Sequence, residues 1–219
     1  MTHTCRLYLV SPPSLDVSEF RKQLEEAFAG GDVGAFQLRL KEAGDADIIK
    51  AAKELMPICR ERGVAFILND RADLAAKLGA DGVHLGVDDM SIADARAIVG
   101  SDVVIGATAH ASRHIAIEAG EAGADYVAFG AFYPTTSKPA EKIEKWGVPS
   151  PDILEWWQAF MLLPCVAIGG INAANCAPLV AAGADFIAAI TAVWNHPKGS
   201  KEAVNEFNQA IKKALEKRE

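Results

Sequence analysis

The amino-acid sequence predicts a (β/α)8 TIM barrel, formed as a single domain by residues 1–219. Short apolar runs alternate with amphipathic segments along the whole chain, which is the pattern of repeated strand–helix units around a parallel sheet. The composition shows no break, and 219 residues are an ordinary length for one barrel. The triplet Gly-Ala-Asp recurs at residues 79–81, 123–125 and 183–185. Each copy separates a predicted helix from a predicted strand, where glycine suits the left-handed helix end and aspartate suits the turn.

Each predicted strand is a short apolar run, and each predicted helix follows one. The strands are predicted at residues 7–10, 35–40, 64–68, 82–85, 103–107, 126–129, 165–168 and 186–190. Ser18 and Ser91 are predicted N-caps, because a serine hydroxyl can accept a bond from a free amide in the first helical turn. The helices are predicted from about residue 18 to just before residue 30, then at 47–61, 72–78, 91–99, 112–122, 150–160, 173–182 and 202–217.

The alternative fold is an open, doubly wound sheet. That fold would require a glycine-rich turn after the first strand, and Ser-Pro-Pro at residues 11–13 is not one. The connection over residues 130–149 is longer than most loops between strands and helices, which indicates a functional segment.

Charge and cysteine content limit the classes of partner. The net charge of −7 and the pI of about 5.3 argue against nucleic acid or an anionic membrane as partner. The four cysteines lack metal-site spacing, so we expect reduced, mostly buried thiols in a cytoplasmic protein. No apolar run reaches the roughly 18 residues of a membrane span. The expected partners are therefore small molecules, and assembly into a homo-oligomer is left open.

Cationic side chains alternate at the end of the second predicted strand. Gln37, Arg39 and Lys41 are spaced by two residues, so in a strand they would share one face. That face would be the barrel interior and mouth, where buried cations are costly unless they meet an anion. The pattern favours an anion site over a solvated strand end.

Two acidic residues follow the third and fourth strands. Asp70 could cap the next helix, and Asp89 could belong to a helix-start cluster. The two could instead hold Mg²⁺, which usually takes one or two carboxylates together with water and substrate phosphates. Thr108 and His110 follow the fifth strand, and His84 is expected to be a satisfied core histidine.

Two loops have the chemistry of phosphate-binding segments. The loop after the sixth strand carries three consecutive hydroxyls and a cation, at Thr135, Thr136, Ser137 and Lys138. A plain surface turn is the alternative for this loop. The ends of the seventh and eighth strands supply Gly170 and the pair Ile190 and Thr191, at the position where barrels of this class often bind phosphate. Two anion sites on one rim suggest two phosphorylated substrates.

Taken together, these segments resemble the thiamine phosphate synthase family over most of the chain. The resemblance is carried by Gln37-Leu-Arg39-Leu-Lys41, Asn69-Asp70-Arg71, Gly-Val-His-Leu-Gly at 82–86 with Asp89, Pro-Thr-Thr-Ser-Lys at 134–138, and Gly169-Gly170-Ile171. It implies a (β/α)8 barrel that joins hydroxymethylpyrimidine diphosphate to thiazole phosphate and releases diphosphate, with Mg²⁺ as cofactor.

The resemblance also implies roles for individual residues. The pyrimidine diphosphate would be held by Gln37, Arg39, Lys41, Asn69, Thr108 and Lys138, of which Arg39, Lys41, Thr108 and Lys138 would assist the chemistry. Asp70 and Asp89 would bind Mg²⁺. The thiazole phosphate would be held by Thr135, Thr136, Ser137, Gly170, Ile190 and Thr191.

Several positions depart from the usual family pattern, and two alternative functions remain. Thr108 and Thr191 stand where serine is common, and the other departures are Ser137, Val87 and Phe186; they leave substrate preference open. A related branch of the barrel isomerises a thiazole carboxylate phosphate with a histidine at the position of His110. A non-catalytic paralogue that binds thiamine phosphates is the other alternative.

Overall fold

Eight parallel strands close into a barrel in chain order, which confirms the predicted fold class. The computed structural model describes residues 4–135 and 144–217. The last strand pairs with the first, so the sheet has no free edge. The strands are β1 (Arg6–Val10), β2 (Val33–Leu38), β3 (Ala65–Asn69), β4 (Gly82–Leu85), β5 (Val104–His110), β6 (Tyr126–Phe129), β7 (Cys165–Ala167) and β8 (Phe186–Ala189).

The helices surround the barrel and bury their apolar faces against it. Within the described ranges they are α1 (Val17–Phe28), α2 (Asp45–Glu61), α3 (Ala72–Leu78), α4 (Ile92–Val99), α5 (Arg113–Glu121), α6 (Asp152–Phe160), α7 (Ala177–Ala181), α8 (Thr191–Trp194) and α9 (Ser200–Glu216). None of these helices combines the length and the apolar character that crossing a bilayer requires. The four cysteines are free and buried, as predicted.

The recurring Gly-Ala-Asp triplet forms the amino-terminal end of the barrel. Each glycine has a positive φ, of 69°, 97° and 104° in chain order. Each aspartate donates its own amide to a backbone carbonyl of the preceding strand and accepts that same residue's amide on its carboxylate. The three carboxylate bonds, of 2.7 to 2.8 Å, pair Asp81 with Phe66, Asp125 with Ile105 and Asp185 with Cys165. The repeat therefore ties each odd-numbered strand from β3 onward to the next strand.

Glycines in the strands make room for aromatic rings inside the barrel. A Cβ on Gly106 would overlap the ring of Tyr126, and a Cβ on Gly34 would lie 2.6 Å from Phe186. The interior layer is small and apolar apart from its two tyrosines, with Tyr8, Val10, Ala35, Ile67, Tyr126, Ala128, Val166 and Ala188 buried in it. This layer forms the base on which the carboxyl-terminal residues stand.

Some predicted element boundaries are wrong, and local hydrogen bonds explain them. Asp16, not Ser18, caps α1, because its carboxylate accepts the amides of Ser18 and Glu19. The second strand ends at Leu38 rather than at residue 40. The helix predicted from residue 173 begins at Ala177. The side chain of Asn172 instead closes a separate turn by accepting two following amides.

Other predicted boundaries agree, and one helix escaped prediction. The caps at Ser91 and Ser112 accept amides three residues on. The short helix α8 was not predicted, because four residues are too few to show a helical period. Trp194 in α8 donates its indole N–H to the carbonyl of Val10 over 2.7 Å, which anchors this helix against β1.

Candidate active site

A cavity of about 970 Å³ opens at the carboxyl ends of the strands. Parallel barrels present their loops at this end, so polar residues that follow the strands converge here. Every predicted site residue within the described ranges lines this cavity: Gln37, Arg39, Lys41, Asn69, Asp70, Asp89, Thr108, Thr135, Gly170, Ile190 and Thr191. The predicted residues Thr136, Ser137 and Lys138 lie outside the described residues.

The residues that follow β2 are held by neighbouring strands. Gln37 is only 4% exposed and donates its side-chain amide to Oδ1 of Asn69 over 2.8 Å. Ser11, which is buried after β1, accepts the backbone amide of Arg39 on its hydroxyl over 2.9 Å. Burial lowers the pKa of Arg39, opposed by the charges of Asp70 and Asp89. Arg39 thus faces the cavity from a fixed backbone, although β2 has already ended.

Ser11 is a site-supporting residue that the sequence did not indicate. Its amide donates to the carbonyl of Gln37 over 2.9 Å, and its hydroxyl donates to the backbone carbonyl of Pro12. A serine before two prolines resembles any turn, and only the pairing of β1 with β2 reveals what it supports.

Asp70 does not cap α3, and its carboxyl instead meets that of Asp89 at the rim. The residue at the start of α3 is Arg71, and no side chain caps that helix. Asp70 has a φ of 64° and sits inside a tight turn, in which the amide of Arg71 donates to the carbonyl of Asn69 over 2.8 Å. Burial, together with the hydrogen bond and charge of Asp89, raises the pKa of Asp70 to about 6. Two carboxylates are therefore held together beside Arg39 and Lys41.

This pair fits the requirements of Mg²⁺ with a phosphorylated substrate. Among the described residues no group of three or more His, Cys, Asp or Glu side chains could hold a metal ion. Mg²⁺ does not need such a cage, because it commonly binds through one or two carboxylates and completes its shell with water and phosphate oxygens. The unfavourable closeness of the Asp70 and Asp89 carboxyls is what a bound cation would relieve.

His84 connects the cavity to the barrel interior. Its Nε2 lies 2.9 Å from the Thr108 hydroxyl, and its Nδ1 lies 2.9 Å from the Tyr126 hydroxyl. Tyr126 in turn bonds the hydroxyl of Tyr8 over 2.9 Å. The prediction that His84 is a satisfied histidine is confirmed, but its ring also lines the cavity.

The predicted phosphate loops after β7 and β8 line a second, smaller and more open cavity. It has a volume of about 560 Å³ and shares Thr135, Gly170 and Thr191 with the larger one. Gly170 has a φ of 64°, and a Cβ there would overlap the carbonyl oxygen of Pro134. Asn175 holds this loop by donating its side-chain amide to the carbonyl of Gly170 over 3.0 Å. Backbone and hydroxyl groups thus line one side of a space that could accept a phosphate group.

His110, the histidine of the alternative isomerase hypothesis, is covered. Its ring is stacked on Trp146, with centroids 4.8 Å apart and planes 2° apart, and the residue is 7% exposed. His110 also has a positive φ of 52° at a bulge in β5. The His110 residue lines the cavity, but the stacked indole of Trp146 limits the movement of its ring.

Comparison with known proteins identifies the family. The family model described as thiamine monophosphate synthase matches residues 7–193. The thiamine-phosphate synthases of Rhodospirillum centenum and Hyphomonas neptunium are 51% and 53% identical to this chain, over 95% and 93% of it and 98% and 92% of their own lengths. The solved structure of a thiamine phosphate pyrophosphorylase from Pyrococcus furiosus superposes with a TM-score of 0.83 at 31% identity, covering 96% of each chain. The chain therefore belongs to the thiamine monophosphate synthase family.

Proposed function

We propose that this protein is a thiamine phosphate synthase that joins 4-amino-2-methyl-5-hydroxymethylpyrimidine diphosphate to 4-methyl-5-hydroxyethylthiazole phosphate. The observation that carries the proposal is that two regions whose side chains and backbone are suited to anions adjoin each other. One region combines Arg39 and Lys41 with the Asp70–Asp89 pair. The other is the smaller cavity around Gly170. The names of the relatives and the predicted motifs support the same reaction.

In this proposal the reaction breaks the bond between the pyrimidine methylene carbon and the diphosphate oxygen. The bonding electrons leave with the diphosphate, and the lone pair of the thiazole nitrogen forms the new carbon–nitrogen bond. The amino group of the pyrimidine can support the positive charge that develops on the methylene carbon. No protein nucleophile is required, so catalysis consists of positioning and electrostatic stabilisation.

The residues divide this work between the two regions. Arg39 and Lys41 would hold the diphosphate and stabilise the negative charge that grows on it as the bond breaks. Gln37 and Asn69, whose side chains hydrogen bond to each other, would position the same substrate. Asp70 and Asp89 would hold Mg²⁺, which when bound neutralises part of the diphosphate charge.

The thiazole phosphate would occupy the smaller cavity. Its phosphate oxygens would accept hydrogen bonds from the backbone near Gly170 and from the hydroxyls of Thr135 and Thr191. Because the two cavities share lining residues, a phosphate held there would leave the ring free to reach into the larger cavity. We expect the reaction to occur where the two meet.

A direct assay tests the proposal. The purified chain is mixed with both substrates and Mg²⁺, and the appearance of thiamine phosphate and diphosphate is followed. Lys41→Ala should lower kcat/KM by about tenfold to a thousandfold, the usual effect of removing one such charge. Lys53→Ala is the matched control, because Lys53 is also exposed but lies on α2 outside the cavity lining.

Two companion assays separate the alternatives. Isomerisation of a thiazole carboxylate phosphate, with no thiamine phosphate formed in the first assay, would identify a tautomerase. Binding of thiamine phosphate with no turnover of either substrate would identify a non-catalytic paralogue. Either result would contradict the synthase proposal.

A further inference from the structure

A chain of hydrogen bonds crosses the barrel interior through four residues that also line the cavity. It joins Tyr8 of β1, Tyr126 of β6, His84 of β4 and Thr108 of β5, and each of its three links measures 2.9 Å. Tyr8 is 4% exposed and Tyr126 is 7% exposed. Gly106, beside His84 in the sheet, provides the space that the Tyr126 ring fills on its way to His84. This series of hydrogen bonds therefore depends on residues from four strands and on the space left by Gly106.

The protons of such a chain can be ordered in two directions. A neutral imidazole carries one N–H, so His84 donates from one nitrogen and accepts on the other. If Nε2 carries the proton, Tyr8 donates to Tyr126, Tyr126 donates to Nδ1, and His84 donates to Thr108. If Nδ1 carries it, His84 donates to Tyr126, and Thr108 donates back to His84.

Within the described ranges, the first direction leaves only the half-buried Thr108 hydroxyl proton without a protein acceptor, whereas the second leaves a proton on a buried tyrosine without one. Among the described residues, the Tyr8 and Tyr126 hydroxyls hydrogen bond only to each other and to His84. If Nδ1 is the donor, one of the two phenol protons has no protein acceptor in the part of the chain that the structure describes, on a tyrosine that lines the cavity but is at most 7% exposed, which is unfavourable. Burial raises the pKa of both tyrosines, so both remain protonated donors. In the first direction the hydroxyl proton of Thr108 is free to point into the cavity.

We propose that Tyr126 and His84 are positioning residues that hold the Thr108 hydroxyl as a hydrogen-bond donor toward the diphosphate substrate. The hydroxyl accepts from Nε2 of His84, so its own proton is directed at a lone pair of the ligand. The diphosphate oxygens and the pyrimidine ring nitrogens both offer such lone pairs. This assignment of the acceptor rests on the proposed function, whereas the proton order rests on the protein alone.

The first test measures the tautomer of His84 in the ligand-free protein. The chain is labelled with ¹⁵N-histidine, and the ring nitrogens are observed by long-range ¹H–¹⁵N correlation, with His84→Gln assigning the signals. We expect the protonated nitrogen to be Nε2 and the unprotonated one to be Nδ1. A ring protonated on Nδ1, or on both nitrogens at neutral pH, would overturn the proposal. This result is independent of any enzymatic activity.

Two variants that each remove one phenol hydroxyl show what orders the protons. Tyr126→Phe removes the donor to Nδ1, so a measurable fraction of Nδ1-protonated ring should appear. Tyr133→Phe is the matched control, because its hydroxyl donates to the carbonyl of Asn175 and lies outside the chain. The tautomer should be unchanged in that variant. An unchanged tautomer in Tyr126→Phe would show that Tyr126 does not set the direction of these hydrogen bonds.

The second test is a kinetic double-mutant cycle on the active enzyme. Tyr126→Phe should lower kcat/KM for the pyrimidine diphosphate by about tenfold, as expected for one misaligned hydrogen bond, with little change in KM for the thiazole phosphate. In a Thr108→Val background the same substitution should have almost no further effect. A merely structural role would make the two effects additive and would contradict the proposal. Absence of synthase activity in the unsubstituted chain would instead contradict the proposed function.

Discussion

Aspartates at the two ends of the barrel are in opposite surroundings. At the amino-terminal end, Asp81, Asp125 and Asp185 each accept a strand amide within 2.8 Å, so the protein itself satisfies their carboxylates. At the carboxyl-terminal end, Asp70 and Asp89 face each other, and the pKa of Asp70 is raised to about 6. The same residue type thus stabilises the fold at the amino-terminal end, whereas at the carboxyl-terminal end we expect it to bind a ligand.

Among the substitutions that test this contrast, the largest effect should come from Asp70→Asn, which removes one charge at the carboxyl-terminal end. We expect kcat/KM at a fixed Mg²⁺ concentration to fall by about a hundredfold, because one of two proposed metal ligands is weakened. The measurement is an Mg²⁺ titration of the initial rate. Asp102→Asn is the control, since Asp102 is exposed, lies outside the cavity lining and accepts a hydrogen bond from the neighbouring Ser101 hydroxyl. Wild-type Mg²⁺ dependence in the Asp70 variant would remove it from the metal site.

The next largest effect tests the amino-terminal end. Asp185 accepts the amide of Cys165 and the side-chain amide of Gln158, each over 2.8 Å. Asp185→Ala leaves both donors without this acceptor, which should lower the free energy of unfolding by about 2 kcal/mol. Denaturant unfolding measures this loss, and kcat at saturating substrates should stay at the wild-type value. A large loss of kcat without a loss of stability would contradict the division between the two ends.

The two ends also differ in how far the sequence predicts them. The Gly-Ala-Asp repeat is local: helix end, turn and strand start lie within three residues, so its role follows from residue type and spacing. The meeting of Asp70 and Asp89 follows from topology, because neighbouring strands of a parallel barrel bring their next loops together. Both were therefore predictable before the structure was known.

The supporting contacts could not be predicted in the same way. Ser11 and the chain from Tyr8 through Tyr126 to His84 depend on the register of strands that are distant in sequence. In the sequence Tyr126 looks like an ordinary buried aromatic residue. Only the structure shows that the absence of a side chain at Gly106 lets its ring reach His84. Arg39 shows a different limit: its strand ended early, yet it still lines the cavity.

A third, smaller effect concerns the glycine loop at the ligand end. Gly170→Ala should raise KM for the thiazole phosphate by about tenfold, because a methyl group there forces the loop away from Pro134. Gly63→Ala is a closely matched control: its φ is also 64°, but nothing lies within 4 Å of the added Cβ. Both variants should lose about 1 kcal/mol of stability for the positive φ, and only the first should change KM. If KM rises only for the diphosphate substrate, the two anion sites have been assigned the wrong way round.

The smallest expected effect separates the two ends most cleanly. Asp89→Asn keeps an oxygen that can accept the amide of Gly86, a bond of 2.7 Å in the structure. It removes a negative charge from beside Asp70, whose ionised form is disfavoured by burial and by Asp89. In the presence of a chelator, the free energy of unfolding should therefore stay within about 0.5 kcal/mol of the wild-type value or rise slightly. Denaturant unfolding with and without Mg²⁺ and inorganic diphosphate measures both sides of this balance, because the added ions should stabilise the wild type more than the variant. A loss of stability as large as that of Asp185→Ala would show that Asp89 serves the fold, and the contrast between the two ends would then fail.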